Sequence, residues 1–230
     1  MNSSLMIENE HRFASVEQSR TFRNICTIFG LYEKSVLDIG CGYGQYLRQF
    51  GKGSAGITTA PVEVEFGKTH GLNILLGNAE RLEVSQNFDA FWANNLFEHL
   101  LSPHAFLMNL KKFSKPDSLC IIGVPVVPKL AWLRHIRQWK GTLASNHVNF
   151  FTDTTLGLTV ERAGWDVVEV RPFIFKSKFL DMLARPFAPH MYAVAKNKAD
   201  FKYPPKKVHE WIDDPYYRDL LLITSQYEQK

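Results

Sequence analysis

The stretch VLDIGCGYGQYL, residues 36–47, decides the fold class of this chain of 230 residues. It begins with the apolar run VLDI, and Gly40, Gly42 and Gly44 follow at every second position. Glycine is required where the backbone takes a positive φ, or where a ligand comes closer than a Cβ would allow. A strand that ends in such a turn and leads into a helix, here predicted over residues 44–50, is typical of proteins that bind a nucleotide-like ligand.

The glycine spacing by itself leaves several ligands open. The dinucleotide-binding turn of nicotinamide oxidoreductases reads G-x-G-x-x-G, and Gln45 stands where its third glycine belongs. A P-loop requires G-K-[ST] at the start of the helix, and no such triplet follows. Both alternatives are therefore weakened, and the rest of the chain must decide.

Short strand-like runs alternate with helical segments along the chain. The seven runs cover residues 35–39, 54–58, 72–76, 88–94, 118–124, 165–170 and 191–196. Helical patterns fall at residues 62–69, 103–113 and 152–163. This alternation predicts right-handed βαβ crossovers, a mainly parallel sheet covered on both faces, and a ligand crevice at the carboxyl ends of the strands. The seventh run follows a connection of about 20 residues, and spacing alone does not decide its direction.

Five motifs, in order between Ser35 and Lys196, resemble those of the class I S-adenosylmethionine-dependent methyltransferases. They are VLDIGCGYGQYL (36–47), GNAERL (77–82), FDAFWANNLFEHLLSPHAFLMNL (88–110), KFSKPDSLCIIGVP (112–125) and HVNFFTDTTLGLTVERAGWDVVEV (147–170). The resemblance implies an α/β fold, a Rossmann-like three-layer sandwich with a seven-stranded, mainly parallel sheet and an antiparallel last strand. It also implies S-adenosyl-L-methionine as the cofactor.

The resemblance assigns cofactor contacts residue by residue. The turn glycines would lie against the methionine part and the ribose, and Asp38 would accept hydrogen bonds around the ammonium group. Asn78 and Ala79 stand where the family recognises adenine, with Asn78 replacing a common aspartate. Asn94 and Asn95 would line the crevice beside the sulfonium. Each asparagine also suits an ordinary turn.

Thr58, in GITTAP (56–61), departs from the family pattern. The family usually places an acidic residue there, which holds both ribose hydroxyls. A threonine has one hydroxyl and no charge, so we expect weaker cofactor binding by about 1 kcal/mol or more. Glu63 or Glu65, at the start of the next predicted helix, could reach over instead, although both simply suit a helix N-terminus.

Two histidines are candidate catalytic bases. Methyl transfer from a sulfonium is a direct displacement, and a hydroxyl acceptor must lose its proton to a base, for which histidine is the usual choice. His147 and His99 belong to motifs whose family positions border the crevice. Glu98, beside His99, could orient a neighbour. The three cysteines, Cys26, Cys41 and Cys120, lack zinc spacing, so we expect no metal.

Basic charge is concentrated in the C-terminal half of the chain. Residues 126–210 carry 14 Lys and Arg against 7 Asp and Glu, while the whole chain has a net charge of +4. Aromatic residues are mixed with these basic residues at 125–150 and 171–190. We interpret both segments as acceptor-site inserts for a small-molecule or sugar-like acceptor, free or linked to a glycan or lipid, with an anionic handle. The alternative is aromatics that fill the core under a solvated basic face.

We divide the chain into an N-terminal helical cap (1–34), an S-adenosylmethionine-binding domain (35–200) and a C-terminal tail (201–230) that closes with a helix. The sequence lacks the pattern of a signal peptide and any run of about 18 apolar residues, so we expect a cytoplasmic protein. We expect no sequence-specific nucleic-acid binding. Peripheral membrane contact and a homodimer stay open, as does a methyltransferase fold that no longer catalyses and serves as a binding or scaffold protein.

Overall fold

A computed structural model describes residues 3–224, with side chains from residue 9 onward. Its single sheet has seven strands, Val36–Ile39 (β1), Ala55–Thr58 (β2), Ile74–Leu76 (β3), Phe88–Asn94 (β4), Ser114–Pro125 (β5), Trp165–Arg171 (β6) and His190–Asn197 (β7). The strand order is β3-β2-β1-β4-β5-β7-β6. Strands β1 to β5 pair in parallel, and β7 pairs antiparallel with both β5 and β6. The expected sheet is confirmed, with the antiparallel strand lying between two others rather than at an edge.

Helices cover both faces of the sheet. They are Ser3–Gln18 (α1), Arg20–Phe29 (α2), Pro61–Thr69 (α3), Pro103–Leu110 (α4), Asp153–Arg162 (α5), Lys178–Ala184 (α6), Pro205–Trp211 (α7) and Pro215–Ile223 (α8). On one face α2 buries Phe22 and Ile25 against Trp92 of β4. On the other face α4 and α5 bury Leu107 and Leu156 against the same sheet. The architecture is therefore the expected three-layer sandwich.

The prediction of a helix over residues 44–50 is wrong. The chain continues there as turns, and only Leu47–Gln49 forms one turn of 3₁₀-helix. Gly42 and Gly44 have φ values of 56° and 84°. A right-handed helix requires negative φ, so these glycines, with their positive φ, cannot belong to its first turn.

The two predicted inserts and the tail keep different surroundings. In the first insert, Ala131–His135 and Arg137–Trp139 are short 3₁₀-helices, and Trp139 is 4% exposed whereas Trp132 is 56% exposed. One tryptophan therefore fills the core and the other faces solvent. The tail packs back, since Leu220 and Leu221 of α8 join the core that contains α4. The part of the tail beyond residue 224 lies outside the described residues.

Among the described residues, no helix combines the length and the hydropathy that crossing a bilayer demands.

Candidate cofactor and acceptor site

A cleft of about 310 Å³ opens at the carboxyl ends of β1, β2 and β3. The glycine turn forms one wall, held to β2 because the N–H groups of Gly40 and Cys41 both donate to the carbonyl of Ile57, at 2.9 and 3.0 Å. The lining residues are Gly40, Gly42, Ile57, Thr58, Thr59, Ala60, Glu63, Gly77, Ala79 and Leu96. This is the edge of the sheet where a parallel α/β fold binds its ligand.

The three turn glycines have different surroundings. Gly40 and Gly42 line the cleft, and a Cβ on Gly40 would lie 3.3 Å from Cδ1 of Leu96. A Cβ on Gly44 would lie 2.8 Å from Cδ1 of Leu72, the end of a flexible side chain, so the φ of 84° is the stronger reason for glycine at this position. Gly44 is not among the lining residues.

Asp38, the third residue of β1, is a buried carboxyl with one oxygen that lacks a hydrogen-bond donor among the described residues. It is 2% exposed, and its Oδ2 has no hydrogen-bond partner among the described residues. Burial raises the pKa of this carboxyl to about 8, and the backbone N–H of Leu47 opposes that rise. An ammonium group would satisfy the orphaned oxygen, so the residue fits the amino-acid end of S-adenosylmethionine.

Thr58 and Glu63 form a pair at the end of β2. The hydroxyl of Thr58 donates to Oε2 of Glu63 and accepts from the N–H of Ala60 at 3.1 Å. Glu63 lies in the first turn of α3, where the helix dipole favours an anion. Its Oε1 is 3.9 Å from where a Cβ on Gly42 would stand. Glu65 instead pairs with Lys68 on the surface at 2.6 Å, so Glu63 is the carboxylate at the cleft.

The predicted asparagines are placed at three points of this edge. Asn78 is exposed and its side-chain oxygen accepts from the N–H of Glu80 at 2.8 Å, which caps a 3₁₀ turn. Asn94 donates to the hydroxyl of Tyr46 at 3.1 Å, and its Oδ1 is buried without a hydrogen-bond partner among the described residues. Asn95 has a φ of 52°, a conformation that asparagine tolerates better than most residues. Ala79 lines the cleft.

His190 is a site residue that the sequence did not predict. Its Nε2 donates to Oδ1 of Asn95 at 2.8 Å, and its Nδ1 is buried without a hydrogen-bond partner among the described residues. Burial lowers the pKa of His190 to about 4, so the ring is neutral at pH 7. Because β7 runs antiparallel, its first residue lies at the edge where the parallel strands end. That direction was the signal that could have found His190.

Glu98, His99 and His147 come together beside this edge. Their ligand atoms lie within 4.8 Å of one another, and the two imidazole centroids are 4.8 Å apart. The N–H of His99 donates to the carbonyl of Leu96, which lines the cleft. The N–H groups of Val148 and Asn149 both donate to the carbonyl of Glu98 at 3.0 Å. Backbone hydrogen bonds therefore attach the segment that carries His147 to the 3₁₀ turn that follows β4.

Both histidines of this cluster direct the same nitrogen toward backbone carbonyls. Nδ1 of His99 lies 3.1 Å from the carbonyl oxygen of Asn146, and Nδ1 of His147 lies 3.2 Å from that of Thr142. A carbonyl only accepts, so each Nδ1 carries the proton and each Nε2 keeps a lone pair in the neutral ring. Burial raises the pKa of Glu98, whose Oε2 has no hydrogen-bond partner among the described residues. Two imidazoles and a carboxylate also suit zinc or iron, so the expectation of no metal stays a prediction.

A larger cavity, of about 750 Å³, lies away from the glycine turn between α4, α5 and the tail. Its lining includes His104, Tyr203 and Trp211, and Nε2 of His104 is 2.8 Å from the hydroxyl of Tyr203. None of the residues that the family resemblance assigns to the cofactor lines it, so size does not identify the functional cleft here.

A family model described as a methyltransferase domain matches residues 5–170. This range is well over half of the chain and contains the glycine turn, the cleft and the histidine cluster. The chain belongs to the S-adenosylmethionine-dependent methyltransferases. The methyltransferase resembles a solved S-adenosylmethionine-dependent methyltransferase of Thermotoga maritima, with 17% identity, a TM-score of 0.58, and coverage of 85% of this chain and 97% of that one.

Two curated relatives of the methyltransferase are named for the reaction that they catalyse. A mitochondrial ubiquinone biosynthesis O-methyltransferase of Schizosaccharomyces pombe is 26% identical over 39% of this chain and 37% of its own length. A ubiquinone biosynthesis O-methyltransferase of Maricaulis maris is 30% identical over 48% of this chain and 50% of its own length. The methyltransferase thus spans half or less of each of these relatives.

Proposed function

We propose that this methyltransferase transfers the methyl group of S-adenosylmethionine to an oxygen of a small-molecule or sugar-like acceptor, free or lipid-linked, with an anionic handle. The observation that carries the proposal is the cluster beside the cleft, in which two histidines contact backbone carbonyls through Nδ1, so that the neutral ring of each has its lone pair on Nε2. An acceptor hydroxyl requires such a group. The curated relatives, both named as O-methyltransferases, support oxygen as the methylated atom.

Residues in and beside the cleft are proposed to hold the cofactor as follows. Asp38 accepts hydrogen bonds from the ammonium group, and Gly40 and Gly42 allow the backbone to approach. The pair of Thr58 and Glu63 together supplies the hydroxyl and the carboxylate that meet the ribose. Asn78 and Ala79 contact the adenine, with Asn78 left its amide N–H₂ because its oxygen caps a turn. Asn94 and Asn95 lie on the side of the methyl group.

The chemistry divides between cofactor and chain. Bound S-adenosylmethionine would supply a methyl group on a sulfonium. The sulfur would keep the electrons of the broken carbon–sulfur bond and leave as a neutral thioether. His147, with His99 as its neighbour, takes the proton of the acceptor hydroxyl on Nε2 as the new oxygen–carbon bond forms. Glu98 stabilises the imidazolium that results. His190 stays neutral and holds Asn95 in position, which fixes the entrance to the methyl group.

Calorimetry with S-adenosylmethionine tests the cofactor half of this proposal. We expect binding in the micromolar range, and no detectable binding at millimolar cofactor would leave a fold that serves as a binding or scaffold protein. The acceptor is sought by transfer of a labelled methyl group to a panel of phenols, catechols and sugar nucleotides. Label found only on nitrogen or carbon would overturn oxygen as the acceptor atom.

Replacement of the carboxylate at the ribose tests the pair of Thr58 and Glu63. We expect Glu63→Gln to raise the Kd for S-adenosylmethionine about five- to tenfold, because a charge-assisted hydrogen bond becomes a neutral one. Glu65→Gln, two residues along the same helix, serves as the matched control and leaves the Kd unchanged. Equal effects of both changes would show that only the charge of the helix end matters.

The buried carboxyl of Asp38 makes cofactor binding pH-dependent. Without cofactor this carboxyl has a pKa of about 8 and is protonated at pH 6. Since an ammonium group favours the ionised form, binding releases a proton, and affinity rises by up to about tenfold per pH unit from pH 6 toward 8. Calorimetry at pH 6, 7 and 8 measures this slope. The slope disappears in Asp38→Asn, and a slope that persists there assigns the proton to another group.

The raised pKa of Asp38 also affects the free energy of unfolding, which depends on pH in the opposite direction to cofactor affinity. The unfolded carboxyl ionises near its ordinary value of 3.8, whereas the folded one keeps its proton to about 8. The unfolded state therefore binds fewer protons between these values, so the contribution of Asp38 to the free energy of unfolding falls as pH rises through this window.

A further inference from the structure

Exposed large apolar side chains are concentrated on the two inserts, residues 125–150 and 171–190. Of the 22 exposed large apolar side chains in the described part of the chain, 11 lie in these two segments. They are Leu130, Trp132, Ile136, Leu143, Val148, Phe150, Phe179, Leu180, Met182, Leu183 and Phe187. The segments make up about a fifth of the chain, so the concentration marks a surface that is built to be covered. We call these two segments the docking surface.

The two segments meet at one buried carboxylate. Lys129 of the first and Arg185 of the second both form ion pairs with Asp153, the first residue of α5, at 2.7 Å for Lys129. The side chain of Asp153 is buried. Leu130 and Phe187, each close in sequence to one of these cations, therefore belong to neighbouring parts of the same surface.

Helix α6 is held by an ionic contact from beneath and exposes apolar residues outward. Among its residues only Asp181 is buried, and it accepts from Nη1 of Arg171 and from the N–H of Phe175. Phe179, the most exposed of its large side chains, is 63% accessible. The helix therefore keeps its position without burying its own apolar side chains, unlike a helix that is held by the core.

The exposed charge of the docking surface has one sign. The two segments contain eight Lys and Arg and one acidic residue, Asp181, which is fully buried. Exposed apolar and aromatic side chains surrounded by cations are the combination that binds the interface of an anionic bilayer. Two copies of this surface would repel each other, which disfavours a homodimer through it.

We propose that the docking surface binds an anionic lipid bilayer, with Phe179, Leu183 and Trp132 entering the interfacial region and the basic residues contacting headgroups. The first segment of the surface includes His147, and the carbonyl of Glu98 attaches this part of it to the turn after β4. A bilayer bound there lies beside the acceptor side of the cleft, so an acceptor in the membrane reaches the site without crossing bulk water. This binding does not depend on the proposed methyl transfer.

Flotation with lipid vesicles tests the proposal on the full chain. We expect binding to vesicles of phosphatidylcholine with about 30% phosphatidylglycerol and little binding to phosphatidylcholine alone, with a loss as salt rises. Lys140→Glu with Lys176→Glu, one change in each segment, should weaken binding more than about tenfold. Lys52→Glu with Lys112→Glu, exposed residues outside the surface, is the matched control and leaves binding unchanged.

A second pair of variants tests the apolar contribution. Phe179→Ser with Leu183→Ser should reduce vesicle binding at every salt concentration, because burial of apolar area is not screened. Leu158→Ser with Val168→Ser changes exposed apolar residues elsewhere and should have no effect. All four side chains are exposed, so none of these changes opens the core.

Three results would overturn the proposal. They are absence of binding to anionic vesicles, equal binding to neutral vesicles, and equal loss in test and control variants. A wild-type dimer by gel filtration that Phe179→Ser with Leu183→Ser converts to a monomer would assign the surface to a second copy. Capture of an acidic protein with no vesicle binding would assign it to a protein partner. S-adenosylmethionine affinity stays the same in all four variants, which separates this test from that of the proposed function.

Discussion

The variant His147→Ala should turn over about 10²- to 10³-fold more slowly than the parent enzyme while binding S-adenosylmethionine with an affinity within about twofold of the parent value. Nε2 of His147 carries the lone pair that is proposed to take the acceptor proton, because Nδ1 already donates to the carbonyl of Thr142. His147 is not among the residues that line the cleft proposed to hold the cofactor. A base is needed in the chemical step and not in cofactor binding, so kcat falls and the Kd does not.

The control for this variant is His135→Ala. His135 belongs to the same insert and is exposed, and we expect its replacement to leave kcat unchanged. The double variant His99→Ala with His147→Ala should cost no more than the larger single change if the pair works as one unit. Equal losses in turnover and cofactor affinity, or no loss, would contradict a base role. Loss of turnover on dialysis against a chelator, restored by zinc, would show that the cluster acts through a metal.

The variant Arg171→Met should lower the free energy of unfolding by about 3 to 5 kcal/mol. Arg171 is buried in β6, where it pairs with Glu169 at 2.9 Å and with Asp181, and donates to the carbonyl of Phe175 at 3.0 Å. Its removal leaves Asp181 buried without a cation. Urea unfolding followed by circular dichroism measures the loss.

Two further variants show whether the loss comes from the unpaired charge. Lys178→Met removes the exposed partner of Glu169 and should change the free energy of unfolding by less than about 1 kcal/mol. Arg171→Met with Asp181→Leu removes the cation together with its fully buried partner and should recover most of the loss, because the remaining carboxylate, Glu169, keeps Lys178 at 3.2 Å. A double variant as unstable as the single one would assign the effect to packing against Phe173, on which the guanidinium stacks at 4.0 Å.

The sheet could be predicted from the sequence because local pattern and tertiary position agree there. Apart from Asp38, the run VLDI is β-branched or apolar, as expected of a strand buried on both faces, and the structure buries every residue of β1. The helix predicted after the glycine turn failed because the spacing of apolar residues does not report φ. Gly42 and Gly44 have positive φ in the turn, so no right-handed helix includes them, and the first helical residue is Leu47.

Site residues could be predicted from the sequence only where a single motif contains the residue and also indicates its role. Thr58 ends β2, and Asp38 stands one residue before the end of the adjacent β1, so their place at this edge follows from the sheet. The choice of Glu63 over Glu65 depends on which side of α3 faces the glycine turn, a matter of helix rotation. The contact between His99 and His147 joins residues 48 positions apart. The part of the chain that leads into His147, residues 126–146, forms neither an α-helix nor a strand, so no local pattern predicts the contact.

The carbonyl of Glu98, which receives two N–H groups from the segment carrying His147, has a consequence for how this enzyme can diversify. Donors and acceptor of this attachment belong to the main chain, so substitutions at positions 98, 148 and 149 other than proline keep it. The segment that carries His147 can therefore exchange its side chains while its backbone stays attached to the turn after β4. Under the proposed function, a change of acceptor specificity then requires no change in the backbone that holds the proposed base.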